Sequence, residues 1–144
     1  MVNMNAYGLK EGQMRYMLLV GHARLPQALK GALEMLMGER DYLLCCSLEE
    51  GEEPTEFVAK LDVVLSSVGP DDEVVLIADT FGGSPAKLSA AALERCGLKG
   101  TCSFGGANLA MVIAASMAIE DEVDLETIAE SVVAEGALAV RRIS

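Results

Sequence analysis

The sequence predicts an α/β fold: a doubly wound, mainly parallel sheet whose strand order begins 2-1-3-4, flanked by helices, with a strand at its C-terminal edge. Three observations carry this. Short runs rich in Val, Ile, Leu and Tyr alternate with longer segments of helical period, the pattern of βα units around a parallel sheet. Helix-opening and helix-closing residues sit between the runs at regular intervals. With 144 residues, 51% of them apolar, the chain is long enough for one well-packed domain and too short for two comfortable ones.

The strands are expected at 16–20, 42–46, 74–78 and 101–104. After the first, Leu25, Leu29, Leu33 and Leu36 share a helical face, with Pro26 in the first turn and Gly38 as a stop. Between the second and third, Phe57, Leu61, Val64, Leu65 and Val68 form an amphipathic stripe opened by Pro54 and closed by Gly69-Pro70. Ser84-Pro85 reads as an N-cap and first-turn proline for a third helix that ends at Cys96-Gly97. Asn108 caps a fourth helix whose apolar face is Met111, Val112, Ala115 and Ile119. A fifth starts at Leu125, buries Ile128, Ala129, Val132 and Val133, and stops at Gly136. The tail from Ala137 to Ile143 reads as a final strand, and Arg141 and Arg142 place it at an edge, where charge discourages unwanted pairing.

Composition narrows the classes of function. A formal charge of −11 argues against a nucleic-acid partner, because such proteins present basic surfaces to phosphates. Acidic runs at Glu49-Glu50-Gly51-Glu52-Glu53 and Glu120-Asp121-Glu122-Val123-Asp124 read as solvated loops or as attraction for a basic protein partner. Every apolar run is interrupted before it reaches the roughly 18–20 residues of a bilayer span. Residues 1–15 lack the apolar core of a signal peptide, so they read as an N-terminal extension and the protein as cytoplasmic. Cys45, Cys46, Cys96 and Cys102 contain no CxxC pair and read as small hydrophobes, and Met35, Met111 and Met117 as core filler.

The chemistry gathers at strand ends. His22 is the only histidine, placed between an apolar run and a helix start, and Asp79 ends the run Val74–Ala78. If the first and third strands are neighbours, their C-terminal ends bring His22 and Asp79 into one crevice. A carboxylate that accepts the proton of one ring nitrogen leaves the other nitrogen free to attack. Gly82-Gly83-Ser84 supplies backbone N–H groups at a helix N-terminus, a place for a phosphate, and the Thr80 and Ser84 hydroxyls add donors. Together these suggest phosphoryl transfer onto histidine. Each residue also has a plainer reading: a satisfied polar histidine, an Asp-Thr turn, glycines that let the chain bend into its helix. One rim explains all of them at once.

Val20-Gly21-His22, Asp79-Thr80-Phe81-Gly82-Gly83-Ser84-Pro85 and Gly106-Ala107-Asn108-Leu109-Ala110-Met111 resemble the three signature stretches of the mannose-family (type 4) IIA domain of the bacterial phosphoenolpyruvate-dependent sugar phosphotransferase system. The middle stretch is the most specific. The likeness runs from about Tyr16 to the C-terminus and implies a IIA domain over 16–144. It implies a phosphocarrier: His22 accepts a phosphoryl group from the phosphorylated histidine-containing carrier protein, paired with Asp79, and passes it to a IIB component. That component phosphorylates sugar during uptake through membrane IIC and IID components. The resemblance further implies a homodimer, which suits the C-terminal edge strand, and no metal or organic cofactor.

Two departures stand out. Family members commonly carry Gly after the active histidine, where Ala23 and Arg24 follow here, and many carry Pro where Ala110 stands. The Ala23 methyl lies where a phosphate or a partner's backbone approaches, and Arg24 either contacts the phosphoryl group or is a solvated surface residue. Three other readings stay open at this point: a regulatory interaction domain without sugar flux, the phosphocarrier subunit of dihydroxyacetone phosphorylation, and an inactive small-molecule binding domain of flavodoxin-like shape.

Overall fold

A computed structural model describes residues 9, 12–98 and 100–144. Most of the expected 1–15 extension therefore lies outside the described residues. The elements run β1 (Arg15–His22), α1 (Leu25–Met37), β2 (Leu43–Leu48), α2 (Pro54–Val64) with a 3-10 turn at Leu65–Ser67, β3 (Glu73–Ala78), α3 (Ser84–Arg95), β4 (Gly100–Phe104), α4 (Leu109–Glu120) and α5 (Leu125–Leu138). The strands pair in parallel in the order β2-β1-β3-β4, as the sequence pattern predicts.

Side-chain alternation along the strands divides the core between the sheet's two faces. Met17, Leu19, Val75 and Ile77 pack with Leu33 of α1, Val112 and Ala115 of α4, and Ile128 and Val132 of α5. Leu18, Val20, Val74 and Leu76 pack on the other face with Phe57 and Leu61 of α2 and Ala92 and Leu93 of α3. Each fully buried Leu, Ile or Phe contributes about 1.5–3 kcal/mol of transfer free energy. Because β1 and β3 are buried on both faces, they read as unbroken apolar runs rather than alternating ones.

The C-terminal edge strand is not formed within this chain. Helix α5 runs through Gly136 to Leu138, and residues 139–144 follow without strand pairing. Gly136 is a packing glycine and not a stop: a β-carbon there would run into Met111 Cγ, and the Asn108 side-chain amide donates to its carbonyl. Ala137 and Leu138, good helix formers, then extend the helix. Two of the expected core methionines are also corrected. Met111 is buried, whereas Met35 and Met117 lie on the outer faces of α1 and α4 and are exposed. Among the cysteines, all four free, Cys46 is buried, Cys45 and Cys102 are half-buried and Cys96 is exposed. Burial pushes the Cys45 and Cys102 thiols up to about 11, which suits apolar packing.

The two acidic runs fall at opposite ends of the sheet. The Glu49–Glu53 loop shares the rim formed by the strands' C-terminal ends, because Leu48 pairs with His22 in the β1–β2 ladder. The Glu120–Asp124 turn lies at the other end, where Arg15 donates to the Val123 carbonyl and to Glu73. Asp124 caps α5 by accepting the Thr127 N–H at 2.7 Å. Among the described residues, no helix is long and apolar enough to cross a membrane.

Candidate active site

Backbone hydrogen bonds tie the rim loops to neighbouring strands before any side chain contributes. Ala23 N–H donates to Leu48 O at 2.9 Å, Asp79 N–H to Val20 O at 3.1 Å and Ala107 N–H to Ala78 O at 3.0 Å. These bonds continue the sheet ladder past the last strand residues, so His22 and Asp79 sit on stiff backbone.

Asp79 binds His22 twice through one oxygen. Its Oδ2 lies 2.8 Å from His22 Nδ1 and accepts the His22 backbone N–H at 2.8 Å, while Oδ1 accepts the Thr80 N–H at 2.8 Å. An ionised carboxylate only accepts, so it holds the neutral ring as the Nδ1–H tautomer and leaves the Nε2 lone pair unprotonated. Burial raises the Asp79 pKa, but the His22 backbone N–H, the His22 ring and the Thr80 N–H outweigh it, and the carboxyl is held below its ordinary value. The His22 side chain is 54% exposed and its partner's only 8%. A buried carboxylate thus supports an imidazole that faces solvent.

The close approach depends on Gly21, to which the sequence pattern assigns no role of its own. A β-carbon there would lie 2.8 Å from Asp79 Cγ and 2.9 Å from Oδ2, within van der Waals contact. Any larger residue pushes the carboxylate off the imidazole. Gly21 lies in the Val20-Gly21-His22 signature stretch, but hydrophobic period and turn signals do not mark it, because the constraint comes from a residue on a different strand.

The first turn of α3 completes the site. Gly83 is the N-cap, extended at φ −72° and ψ 169°, with no side-chain cap; Ser84 is the first helical residue and Pro85 the second. Ser84 is therefore not the N-cap that the Ser-Pro pair suggests, and its hydroxyl is not engaged in capping. The amides of Ser84 and Ala86 have no intrahelical acceptor and point beyond the helix end, where the dipole favours an anion. A β-carbon on Gly83 would stand 3.6 Å from His22 Cε1, the ring carbon between the two nitrogens, so the imidazole lies beside this turn. Gly82 has φ +79°, a left-handed conformation that turns the chain into the helix. Thr80, Gly82 and Ser84 are exposed on the same loop. Phe81 projects from it with 95% exposure, an apolar group that the sequence reading did not single out. Among the described residues no group of three or more His, Cys, Asp or Glu is placed to hold a metal ion. The arrangement suits nucleophilic attack on a phosphoryl group by Nε2, with backbone amides receiving the phosphoryl oxygens.

Known proteins resemble this chain in sequence and in fold. The chain is 30% identical over 73 residues to the PTS system fructose-specific EIIA component of Bacillus subtilis strain 168, an alignment spanning 51% of this chain and 50% of that relative. Its fold matches the phosphotransferase system component EIIA from Streptococcus agalactiae at a TM-score of 0.79 and 19% identity, covering 90% of this chain and 97% of that one. It also matches the mannose/sorbose specific IIA subunit from Enterococcus faecalis at a TM-score of 0.78 and 23% identity, covering 92% and 96%. The family model EIIA-man, described as the PTS system fructose IIA component, matches residues 16–133, and the chain belongs to this mannose-type family of phosphotransferase-system IIA components.

Proposed function

We infer that this protein is a cytoplasmic phosphocarrier of sugar uptake whose phosphorylated residue is His22. The observation that carries this reading is the Nδ1–Asp79 pair, which presents a free Nε2 beside the open N-terminus of α3. In the reaction, the Nε2 lone pair forms an N–P bond as the P–N bond to the imidazole of the phosphorylated histidine-containing carrier breaks, and the carrier's nitrogen keeps the electron pair. The positive charge gained by the His22 ring is shared through Nδ1–H with Asp79. The phosphoryl oxygens lie against the Gly82–Ser84 amides, with the Thr80 and Ser84 hydroxyls as further donors. The same steps in reverse, with a IIB component docked on the rim, pass the group on toward the membrane IIC and IID components. Donor and acceptor use one surface in turn, with His22 at its centre and Phe81 as an apolar anchor.

The reading includes a homodimer. The outer edge of β4 has no strand partner among the described residues, and the tail carries exposed Val140 and Ile143. The tail of one copy added to the β4 edge of another would satisfy both and form the edge strand that the sequence suggests.

Reconstitution tests the carrier role. Phosphoenolpyruvate, enzyme I and the carrier protein should load the full chain with one acid-labile phosphoryl group, and an added IIB component should then remove it. Loading without discharge to any IIB component would count against a role in sugar flux and favour a regulatory one.

A further inference from the structure

The rim around His22 is rich in negative charge. Leu48 lies opposite His22, so Glu49, Glu50, Glu52 and Glu53 follow directly on the neighbouring loop, and Asp79 lies beneath. A phosphoryl dianion on Nε2 is repelled by this field. The lysines on the adjoining helices do little to relieve it. Lys60 pairs with Glu52 at 2.9 Å and donates to Ser47 O at 2.6 Å, and Lys30 pairs with Glu34.

Arg24 differs from them. It is exposed, two residues beyond His22, and among the described residues its guanidinium has no hydrogen bond or ion pair. The backbone accounts for its placement. Ala23 has φ +52°, a left-handed conformation that is unfavourable for a residue with a β-carbon. The Ala23 N–H bond to Leu48 O holds this turn in place. Alpha-carbons two residues apart lie at most about 7 Å from one another, within the span of an arginine side chain. Its planar fork of donors matches phosphoryl oxygens. Among the described residues Lys87, in the first turn of α3, is another cation on this side with no hydrogen bond or ion pair, and it lines a cleft of about 230 Å³ with Thr80, Phe81, Gly82, Ala90 and Phe104, whose lining does not include His22.

We propose that Arg24 holds the phosphoryl group on His22, its guanidinium neutralising oxygens that the α3 amides leave uncovered. This rests on the phosphocarrier reading. If Arg24 contacts the phosphoryl group, it stabilises the phosphorylated protein itself; if it only contacts the partner, it alters rates and leaves the equilibrium alone.

The experiment mixes purified phosphorylated carrier protein, freed of enzyme I, with the full-length chain and reads the equilibrium distribution of phosphoryl groups by intact mass. Arg24→Gln should shift the equilibrium toward the carrier by about fivefold to tenfold, the effect of one charge-assisted hydrogen bond. Arg24→Lys should fall between, and Lys87→Gln should match the unaltered protein. An unchanged equilibrium in Arg24→Gln, even with slower approach to it, would overturn the proposal, as would an equal shift in Lys87→Gln. Failure of the unaltered chain to take any phosphoryl group would remove the phosphocarrier reading and Arg24's role with it.

Discussion

One carboxylate fixes the tautomer, orientation and backbone position of the His22 imidazole, so under the proposed function Asp79 is the most sensitive residue after His22 itself. Asp79→Asn keeps the shape but replaces an acceptor-only group by an amide that can turn a donor toward Nδ1. Its phosphorylation rate should fall about 100-fold or more with the circular dichroism spectrum unchanged. The sign of the pH effect follows from the depressed Asp79 pKa. Its contribution to stability is fully present above the unfolded value of about 3.9 and is lost as pH falls through the lower folded value. Urea unfolding between pH 2 and 6 should therefore show a shallower acid loss in Asp79→Asn than in the unaltered chain. His22 and Asp79 were legible in the sequence because each ends an apolar run, which is where a parallel sheet gathers its loops. The role of Gly21 was not, although it stands in a signature stretch, since its requirement arises from the distance between two strands. Ser84 was misplaced by one position because Gly83 adopts the extended backbone of an N-cap.

Elements were legible where the hydrophobic period was strong. The four strands and five helices lie within a few residues of expectation, and β2 extends to Leu48 because Ser47 and Leu48 pair with Gly21 and His22. The failure came at Gly136, where a helix-closing glycine and a close-packing glycine are identical in sequence. Only the approach of Met111 tells them apart. Gly136→Ala therefore improves helix propensity yet forces a methyl against a buried side chain, and overpacking of this kind costs about 1–3 kcal/mol. Thermal unfolding of that variant should show a lower midpoint. An unchanged or higher midpoint would mean that α4 and α5 are packed less closely at this point.

Across the whole molecule, the sheet order places His22, Asp79 and the first turn of α3 at one end, and this much could be argued from the chain because parallel strands and right-handed crossovers leave few alternatives. The C-terminal tail could not be placed the same way. Its apolar run followed by Arg141 and Arg142 reads as an edge strand, but a strand needs an edge to pair with, and this chain does not bring its own tail to one. If two copies supply that edge, removal of residues 139–144 should convert a dimer to a monomer in sedimentation experiments. Truncation that leaves the oligomeric state unchanged would detach the tail from assembly.

The central claim is that His22 carries the phosphoryl group, and intact mass spectrometry tests it most directly. After incubation with phosphoenolpyruvate, enzyme I and the histidine-containing carrier protein, the chain should gain the mass of one phosphoryl group that is lost in acid, and His22→Ala should gain none. Phosphoryl incorporation that persists in His22→Ala, or none in the unaltered chain beside a fully phosphorylated carrier, would contradict the account.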